Sequence, residues 1–543
     1  MKHAKLLDCT LRDGAYLIDK KFGDETIRGI IDGLIAANVD VIEIGFLQDE
    51  GFGPGKTVFF NGADAARFIP KERNNALFTV LADYSRYTFT NLDSYNGESF
   101  DAVRVCFFKK ERYDAVSAFR QVKEKGYKLF VQPVDILGYS DKELIELIEA
   151  VNEIEPYCFS IVDTFGSMYE EDLHHVFSVI NHNLTPVSRI GFHSHNNMQM
   201  SSALSQAFLK MTYGNRDVVV DTTISGMGRG AGNTPTELIA QYMVSKLRYH
   251  YDIDAILDLI DTYIVPLKKN VEWGYSTHMF LAGTYGAHVN NITYLKQKNS
   301  IRSKDIRYIL DRIGSQARKR YGYDLLENTY LNYMNSDIDD SESFNRLQSE
   351  LQGKTVVIVA PGKSVSSGKE SIEEYVNRNS ASVISINFVP SMLKSDYLYM
   401  SNVRRYEMFH HSGNPIQQKK IFTSNISKEA DTNTYCIAFN RLYKCGWEYA
   451  DNSAILLLRL LKQLGVKKAA IAGLDGYDPA QTRNPQYAEK SMEIPIPEDA
   501  AIVVNREIGE MLDDIIHSGN DTFSIEFITP SRFEWILRRK ENI

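Results

Sequence analysis

The stretch Arg189–Thr222, RIGFHSHNNMQMSSALSQAFLKMTYGNRDVVVDT, holds one complete strand–helix–strand unit. Arg189–His193 is short and largely apolar, as a buried strand should be. Ser201–Met211 carries apolar residues at helical spacing, and Val218–Thr222 is a largely β-branched run. Working outward, the same alternation recurs. Further strands are expected at Lys5–Asp8, Val41–Gly45, Leu77–Ala82, Ala102–Phe107, Leu129–Pro133 and Phe159–Asp163. Helices are expected at Asp24–Ala37, Asp114–Lys125, Asp141–Ile154 and Glu170–Ile180. Eight strands alternating with helices over roughly 250 residues make a (β/α)₈ TIM barrel the expected fold of residues 1–265. A doubly wound sheet gives a similar alternation and is the competing architecture.

The strand signal stops after Val265. Residues 266–334 read as a helical extension, with Ile306–Ile313 as its clearest periodic stretch. The polar, acidic run from Asn335 to Ser343 places a linker at 335–353. A second α/β pattern fills 354–543: strands at Thr355–Ala360, Val383–Asn387 and Lys468–Gly473, and helices at Lys369–Arg378 and Ala454–Leu464. This is expected to be a Rossmann-like domain.

The 543 residues are 43% apolar and 24% charged, a composition that excludes a disordered chain or a fibre. Acidic residues outnumber Lys and Arg by 70 to 61, which argues against a nucleic-acid partner. Cys9, Cys106, Cys158, Cys436 and Cys445 contain no CxxC pair and read as reduced thiols. Met1–Thr10 lacks the apolar region of a signal peptide. The greasiest run, Ala454–Leu461, is interrupted by Arg459 and is far short of the ~20 residues of a membrane span. A cytoplasmic protein is expected.

Chemistry-bearing residues gather at strand ends. The first strand runs into Asp8-Cys9-Thr10-Leu11-Arg12-Asp13-Gly14, and the seventh ends in His193-Ser194-His195-Asn196-Asn197. Residues past the C-terminus of a barrel strand line the catalytic face. In an extended segment i and i+2 point to the same side, so His193 and His195 can meet one ion. Two imidazoles and the Asp13 carboxylate suit a divalent cation such as Mn²⁺, Fe²⁺ or Zn²⁺, with positions left open. The eighth strand leads into Ser225-Gly226-Met227-Gly228-Arg229-Gly230-Ala231-Gly232-Asn233, whose glycines allow close backbone approach. It fails the dinucleotide pattern G-x-G-x-x-G and reads equally as a structural turn or a ligand cradle.

DCTLRDG, HSHNN and GMGRGAGNTPTE together resemble the metal-dependent aldolase and acyltransferase superfamily. That superfamily includes 3-hydroxy-3-methylglutaryl-CoA lyase, isopropylmalate synthase and 4-hydroxy-2-oxovalerate aldolase. The resemblance covers roughly residues 1–300, with IEIG at Ile42–Gly45 and DTFG at Asp163–Gly166 in support. TLRDGAY and AGNTPTE are most similar to the 4-hydroxy-2-oxovalerate aldolases. The resemblance implies Asp13, His193 and His195 as metal ligands, with Asn233 beside the ion. It implies Mn²⁺ or Mg²⁺, with Zn²⁺ as the alternative, and Arg12 as the group that steadies an enolate. Those aldolases carry a histidine base shortly after RDG, where this chain has Tyr16. Tyr285, in GTYGAH, resembles a tyrosine they use near the substrate aldehyde; packing is its other reading.

The implied substrates are a 2-oxo acid and an aldehyde, and a homodimer is compatible with the pattern. A Claisen-type acyltransferase using acetyl-CoA, a mononuclear iron oxygenase and a barrel that binds without catalysis are the rival functions. In the second domain, Val356–Ser364 looks like a strand entering a turn and a helix, a place where backbone amides can hold phosphate. With Ala472–Tyr477 it resembles Rossmann-like modules of bacterial sugar-transferase and sialyltransferase-like proteins. That implies a nucleotide or nucleotide-sugar ligand and surface-polysaccharide metabolism; a turn that binds nothing is the other reading. His278, His288, His410 and His411 have no carboxylate at fixed spacing and read as packing or surface residues.

Overall fold

A computed structural model describes the chain apart from residues 1–3, 299–300, 336–337, 412–415, 428–429, 482–486, 490–497, 519–522 and 539–543. It divides into two compact units, residues 1–292 with 318–320, and residues 293–317 with 321–543.

In the first unit eight parallel strands close on themselves: β1 Ala4–Asp8, β2 Val41–Leu47, β3 Leu77–Asp83, β4 Ala102–Phe107, β5 Lys128–Pro133, β6 Cys158–Asp163, β7 Arg189–Ser194 and β8 Val218–Thr222. Closure is made by β1, which pairs with β8 through Ala4↔Val218 to Asp8↔Thr222 and with β2 through Leu7↔Val41. The eight expected strands are all present, each within two residues of its expected limits, and the TIM barrel holds. The helix Asp24–Ala36 shows why: Ile27, Ile30, Ile31 and Leu34 fall on one face and are fully buried. Burying each such side chain contributes roughly 1.5–3 kcal/mol.

The barrel interior is layered by the two-residue period of its strands. Leu7, Val41, Leu77, Ala102, Phe130, Cys158 and Val219 form one buried apolar cluster. Two residues further along, toward the C-terminal mouth, stand Glu43, Thr79, Arg104, Gln132, Ser160 and Asp221, all buried and all polar. The lower layer seals the barrel, and the upper layer carries charge to the mouth.

One irregularity was not visible in the sequence pattern. The two-residue strand Val58–Phe59 pairs with the end of β2, whose register shifts between Glu43 and Phe46. Gly45 sits in that shift at φ +151°, and a Cβ there would lie 2.1 Å from the Thr57 carbonyl oxygen. Only glycine allows this approach.

The second unit is built on a seven-stranded parallel sheet: β9 Thr355–Val359, β10 Ser382–Ile386, β11 Tyr397–Met400, β12 Lys419–Thr423, β13 Thr434–Ile437, β14 Lys468–Ala472 and β15 Ser524–Phe527. Its order is β13-β12-β11-β10-β9-β14-β15, so strand order reverses between β9 and β14. Where a linker was expected at 335–353, a helix runs from Ser341 to Leu351 with Leu347 and Leu351 buried; Ser336 and Asp337 lie outside the described residues. Asp340 takes a bidentate pair from Arg441. Of the expected extension, residues 266–292 belong to the first unit, and the helices Ser303–Ile313 and Tyr323–Asn335 to the second, where Tyr330 packs edge-on against Tyr443 and the Met334 carbonyl accepts from Ser424. No described helix is long and apolar enough to cross a membrane.

Candidate metal centre

At the mouth, β1 ends in a single helical turn, Thr10–Asp13, followed by a 3-10 turn, Gly14–Ile18. This turns Arg12 and Asp13 inward, and both are buried. From β7, His193 and His195 face the same carboxylate: His193 Nε2 is 3.3 Å and His195 Nε2 4.0 Å from Asp13 Oδ2. Their rings lie 5.1 Å apart and nearly perpendicular. One ligand atom from each of the three residues falls within 4.8 Å of the others, the only such His/Cys/Asp/Glu group among the described residues. Ligands about 2.1 Å from a common ion lie roughly 3–4.2 Å from one another, so these spacings match a divalent cation.

Two further observations fit an ion. Asp13 Oδ1 and Asn233 Oδ1 are buried oxygens without a hydrogen-bond partner. An orphaned buried acceptor costs about 1–3 kcal/mol, a cost a cation would remove. Asn233 is brought to the site by its loop, since its backbone bridges to His195. Gly232 makes the loop's turn at φ +86°, with the Gly226 carbonyl oxygen 2.0 Å from where a Cβ would be.

Electrostatics prepare the donors. Burial works against the Asp13 carboxylate, but Arg12 and the two imidazoles outweigh it and hold the carboxyl well below its usual range. Burial pushes the His195 imidazole down to about 3, so it stands neutral, as a ligand must be. His193 goes the other way: burial opposes its charge, yet Asp13 and Asp221 raise it.

A buried ion network, absent from the sequence reading, lies beneath these ligands. Arg12 Nε donates to Glu43 at 2.7 Å and Nη1 to Asp13 at 2.6 Å. Arg104 donates to the same Glu43 oxygen at 3.0 Å and also to Asp221. Asp221 in turn lies 3.0 Å from His193 Nδ1. The usable signal was the polar residue two positions beyond the apolar one in β2, β4 and β8.

Tyr16 also reaches the mouth. Its ring meets Phe46 edge-on at 5.2 Å and lies 3.9 Å beneath the Arg229 guanidinium. Burial raises its phenol despite Arg229 and Arg12, so the hydroxyl keeps its proton. Tyr285 ends the helix Thr277–Tyr285, which packs on Met198 and the Gly166 carbonyl through Gly283. Its ring lies 4.9 Å from the Arg318 guanidinium, whose Nε donates to the Tyr285 carbonyl. The side chains of His410 and His411 lie outside the described residues.

Residues 106–263 match the HMGL-like family model. The matched stretch contains His193, His195 and Asn233, and Arg12 and Asp13 precede it. An oxaloacetate decarboxylase from Mycobacterium tuberculosis is 29% identical over 262 residues, 47% of this chain and 74% of that protein. A 4-hydroxy-2-oxovalerate aldolase from Carboxydothermus hydrogenoformans is 26% identical over 328 residues, 58% of this chain and 93% of that protein. A solved hydroxymethylglutaryl-CoA lyase from Pseudomonas aeruginosa is 17% identical, with a TM-score of 0.40 over 49% of this chain and 94% of that one.

In the second unit, β9 and β14 deliver their following loops to the point where strand order reverses, the usual ligand crevice of open α/β sheets. That turn carries its own anion: Asp475 accepts from the Ser364 amide at 2.9 Å and from the Ser364 hydroxyl. The Ser364 amide is thereby taken.

Proposed function

We propose that this protein is a metal-dependent carbon–carbon lyase that cleaves or forms a 4-hydroxy-2-oxo acid through the enolate of pyruvate or a close 2-oxo acid. The observation that carries this reading is the convergence of His193, His195 and the Arg12-anchored Asp13 on one point at the barrel mouth. The named activities of the decarboxylase and aldolase relatives support it, since both would produce a pyruvate enolate. Asp13, His193 and His195 would hold a divalent ion, Mn²⁺ or Mg²⁺ by preference, with Asn233 beside it. Bound there, such an ion would act as a Lewis acid toward the 2-oxo acid.

The chain's own residues supply the rest. In cleavage the 4-hydroxyl loses its proton, the C3–C4 bond breaks, and its electron pair moves toward the C2 oxygen. The product aldehyde leaves, and C3 of the enolate takes a proton to give the 2-oxo acid. Arg12 has two of its three nitrogens tied to Glu43 and Asp13, so its third is held in a fixed place. A preorganised cation next to the developing oxyanion is worth about 3–4 kcal/mol of barrier. Tyr16 keeps its proton near neutrality, which suits it to donating one and not to taking one.

Metal analysis, followed by incubation with pyruvate in deuterated water and with a panel of aldehydes, tests the proposal. Exchange of the pyruvate methyl protons and aldol product formation are the expected results. A second reading, decarboxylation of oxaloacetate, passes through the same enolate and is favoured by the decarboxylase relative. Loss of oxaloacetate without any aldol product would select it. Metal-replete protein showing none of these reactions would overturn the lyase.

A further inference from the structure

The mouth carries more positive charge than a 2-oxo acid needs. Arg229 lies over the Tyr16 ring, Tyr16 meets Phe46, and Lys20 Nζ lies 4.8 Å from the Phe46 ring. The two cations are thus linked by a pair of aromatic rings, and Arg229 is near enough to His195 to disfavour its charge. Lys20 borders an open recess of about 820 Å³, lined also by Gln48, Asp49, Glu50, Tyr84, Arg86 and Thr88.

Two cations on this path stand without an ion-pair partner. Among the described residues neither Lys20 nor Arg229 lies within ion-pairing distance of a carboxylate. Lys20 makes one bond to a neutral acceptor, Gln48 Oε1, at 2.8 Å. The acids at the recess are engaged or exposed. Asp49 accepts from the Thr88 amide, the Thr88 hydroxyl and Asn91. Asp83 pairs with Arg86 at 3.6 Å, and Asp19 and Glu50 are exposed. Burial and the positive charges of Arg86, Lys56 and Arg229 push the Lys20 ammonium down, with Asp19 alone pulling the other way. Arg229 likewise adds to the burial that holds His288 at about 4. Unpaired cations crowded at a half-buried site are complementary to an anion.

Resting on the lyase reading above, we propose that Arg229 and Lys20 hold an anionic group, a carboxylate or a phosphate, on the aldehyde half of the substrate. The 2-oxo acid is provided for by the metal ligands and Arg12. The ring-lined path begins beside the metal ligands, and its guanidinium can take a carboxylate or phosphate through two parallel N–H bonds. The barrel on this account selects a charged aldehyde over a short neutral one.

The test compares charged and neutral aldehydes of matched size with pyruvate and metal-loaded protein. Succinic semialdehyde is set against its methyl ester, and glyceraldehyde 3-phosphate against glyceraldehyde, so the two pairs separate carboxylate from phosphate. Wild type is expected to prefer the charged member of at least one pair by tenfold or more in kcat/KM, and added salt should shrink that preference. In Arg229→Gln the preference should fall at least tenfold, carried by the KM of the charged aldehyde. Arg229→Lys should recover part of it, and Lys20→Gln should show a smaller fall. A folded Arg229→Gln with an unchanged ratio overturns the proposal. So does a loss carried by the KM of pyruvate, which would put the guanidinium on the 2-oxo acid. Wild type that exchanges pyruvate protons yet favours both neutral aldehydes overturns it while the lyase stands. Wild type with neither exchange nor product overturns the lyase and this proposal together.

Discussion

Asp221 lies 3.0 Å from Nδ1 of His193, on the side of the ring away from Asp13. The carboxylate accepts the Nδ1 proton and leaves Nε2 with its lone pair directed at the metal position. Burial works against the Asp221 charge, but Arg104 and His193 outweigh it and hold the carboxyl below its ordinary value. Asp221→Asn should therefore lower metal affinity by roughly 10–100-fold while the barrel stays folded. A competition titration against a chelator of known affinity measures this. Equal affinity in the variant would reduce Asp221 to a partner for Arg104.

The ligands themselves should behave differently from Asp221. His195→Ala removes a neutral imidazole from the group, and Asp13→Asn removes the negative charge that attracts the ion. Each should leave purified protein with well under stoichiometric metal, read by elemental analysis beside wild type. Exhaustive chelation of wild type should abolish proton exchange, and restoring a divalent ion should return it. Stoichiometric metal and full activity in His195→Ala would end this assignment.

Arg12 is anchored by Glu43, and Glu43 is also held by Arg104, so removing Arg12 does not leave the glutamate alone. Arg12→Ala should keep its fold and slow exchange of the pyruvate methyl protons by about a hundredfold or more. Arg12→Lys should recover little, because one ammonium cannot reach Glu43, Asp13 and substrate in the geometry of a planar fork. Deuterium uptake followed by NMR gives the rates. A loss below tenfold in Arg12→Ala would place the enolate elsewhere.

The barrel could be read from the chain because each strand is a short apolar run bounded by an amphipathic helix. HSH could be read because i and i+2 share a side. What escaped was anything depending on several strands at once. Glu43, Arg104 and Asp221 are single polar residues inside separate apolar strands, and they become one network only when the barrel closes. Arg229 sits in a glycine-rich loop, yet nothing local in the sequence says that its guanidinium lies over Tyr16. In the second unit the strands β11, β12, β13 and β15 were not expected from the sequence. The acidic run before Ser343 looked like a linker because it was read without the apolar Phe344, Leu347 and Leu351 that follow at helical spacing.

Tyr16 separates two mechanisms. As a proton donor held protonated by burial, it should be missed in Tyr16→Phe, with exchange falling tenfold or more and the metal still bound. As a ring that only supports Arg229, it should be replaced by phenylalanine without loss, because the stacking surface survives. Exchange rates in the two proteins at equal metal loading decide between them.

Asp8, at the end of β1, gives a pH prediction independent of the metal. Its oxygens accept from Thr236 Oγ1 at 2.6 Å and from the Thr10 amide at 2.9 Å. Burial outweighs both bonds and pushes the carboxyl up to about 6. The folded chain therefore holds a proton at Asp8 that the unfolded chain has already lost between about pH 4 and 6. Stability contributed by Asp8 is full below the ordinary carboxyl range, falls as pH rises through that window, and is level above it. Two units of displacement correspond to about 3 kcal/mol. Asp163, pushed up to about 6 chiefly by burial, acts in the same direction, whereas the lowered Asp13 and Asp221 act in the opposite one. Total pH profiles will mix these, so the comparison must be between wild type and Asp8→Asn. Denaturant unfolding at a series of pH values should show the difference between them moving by about 3 kcal/mol in favour of the variant from pH 4 to pH 7. A constant difference across that range would mean that Asp8 ionises in the folded barrel as it does in water.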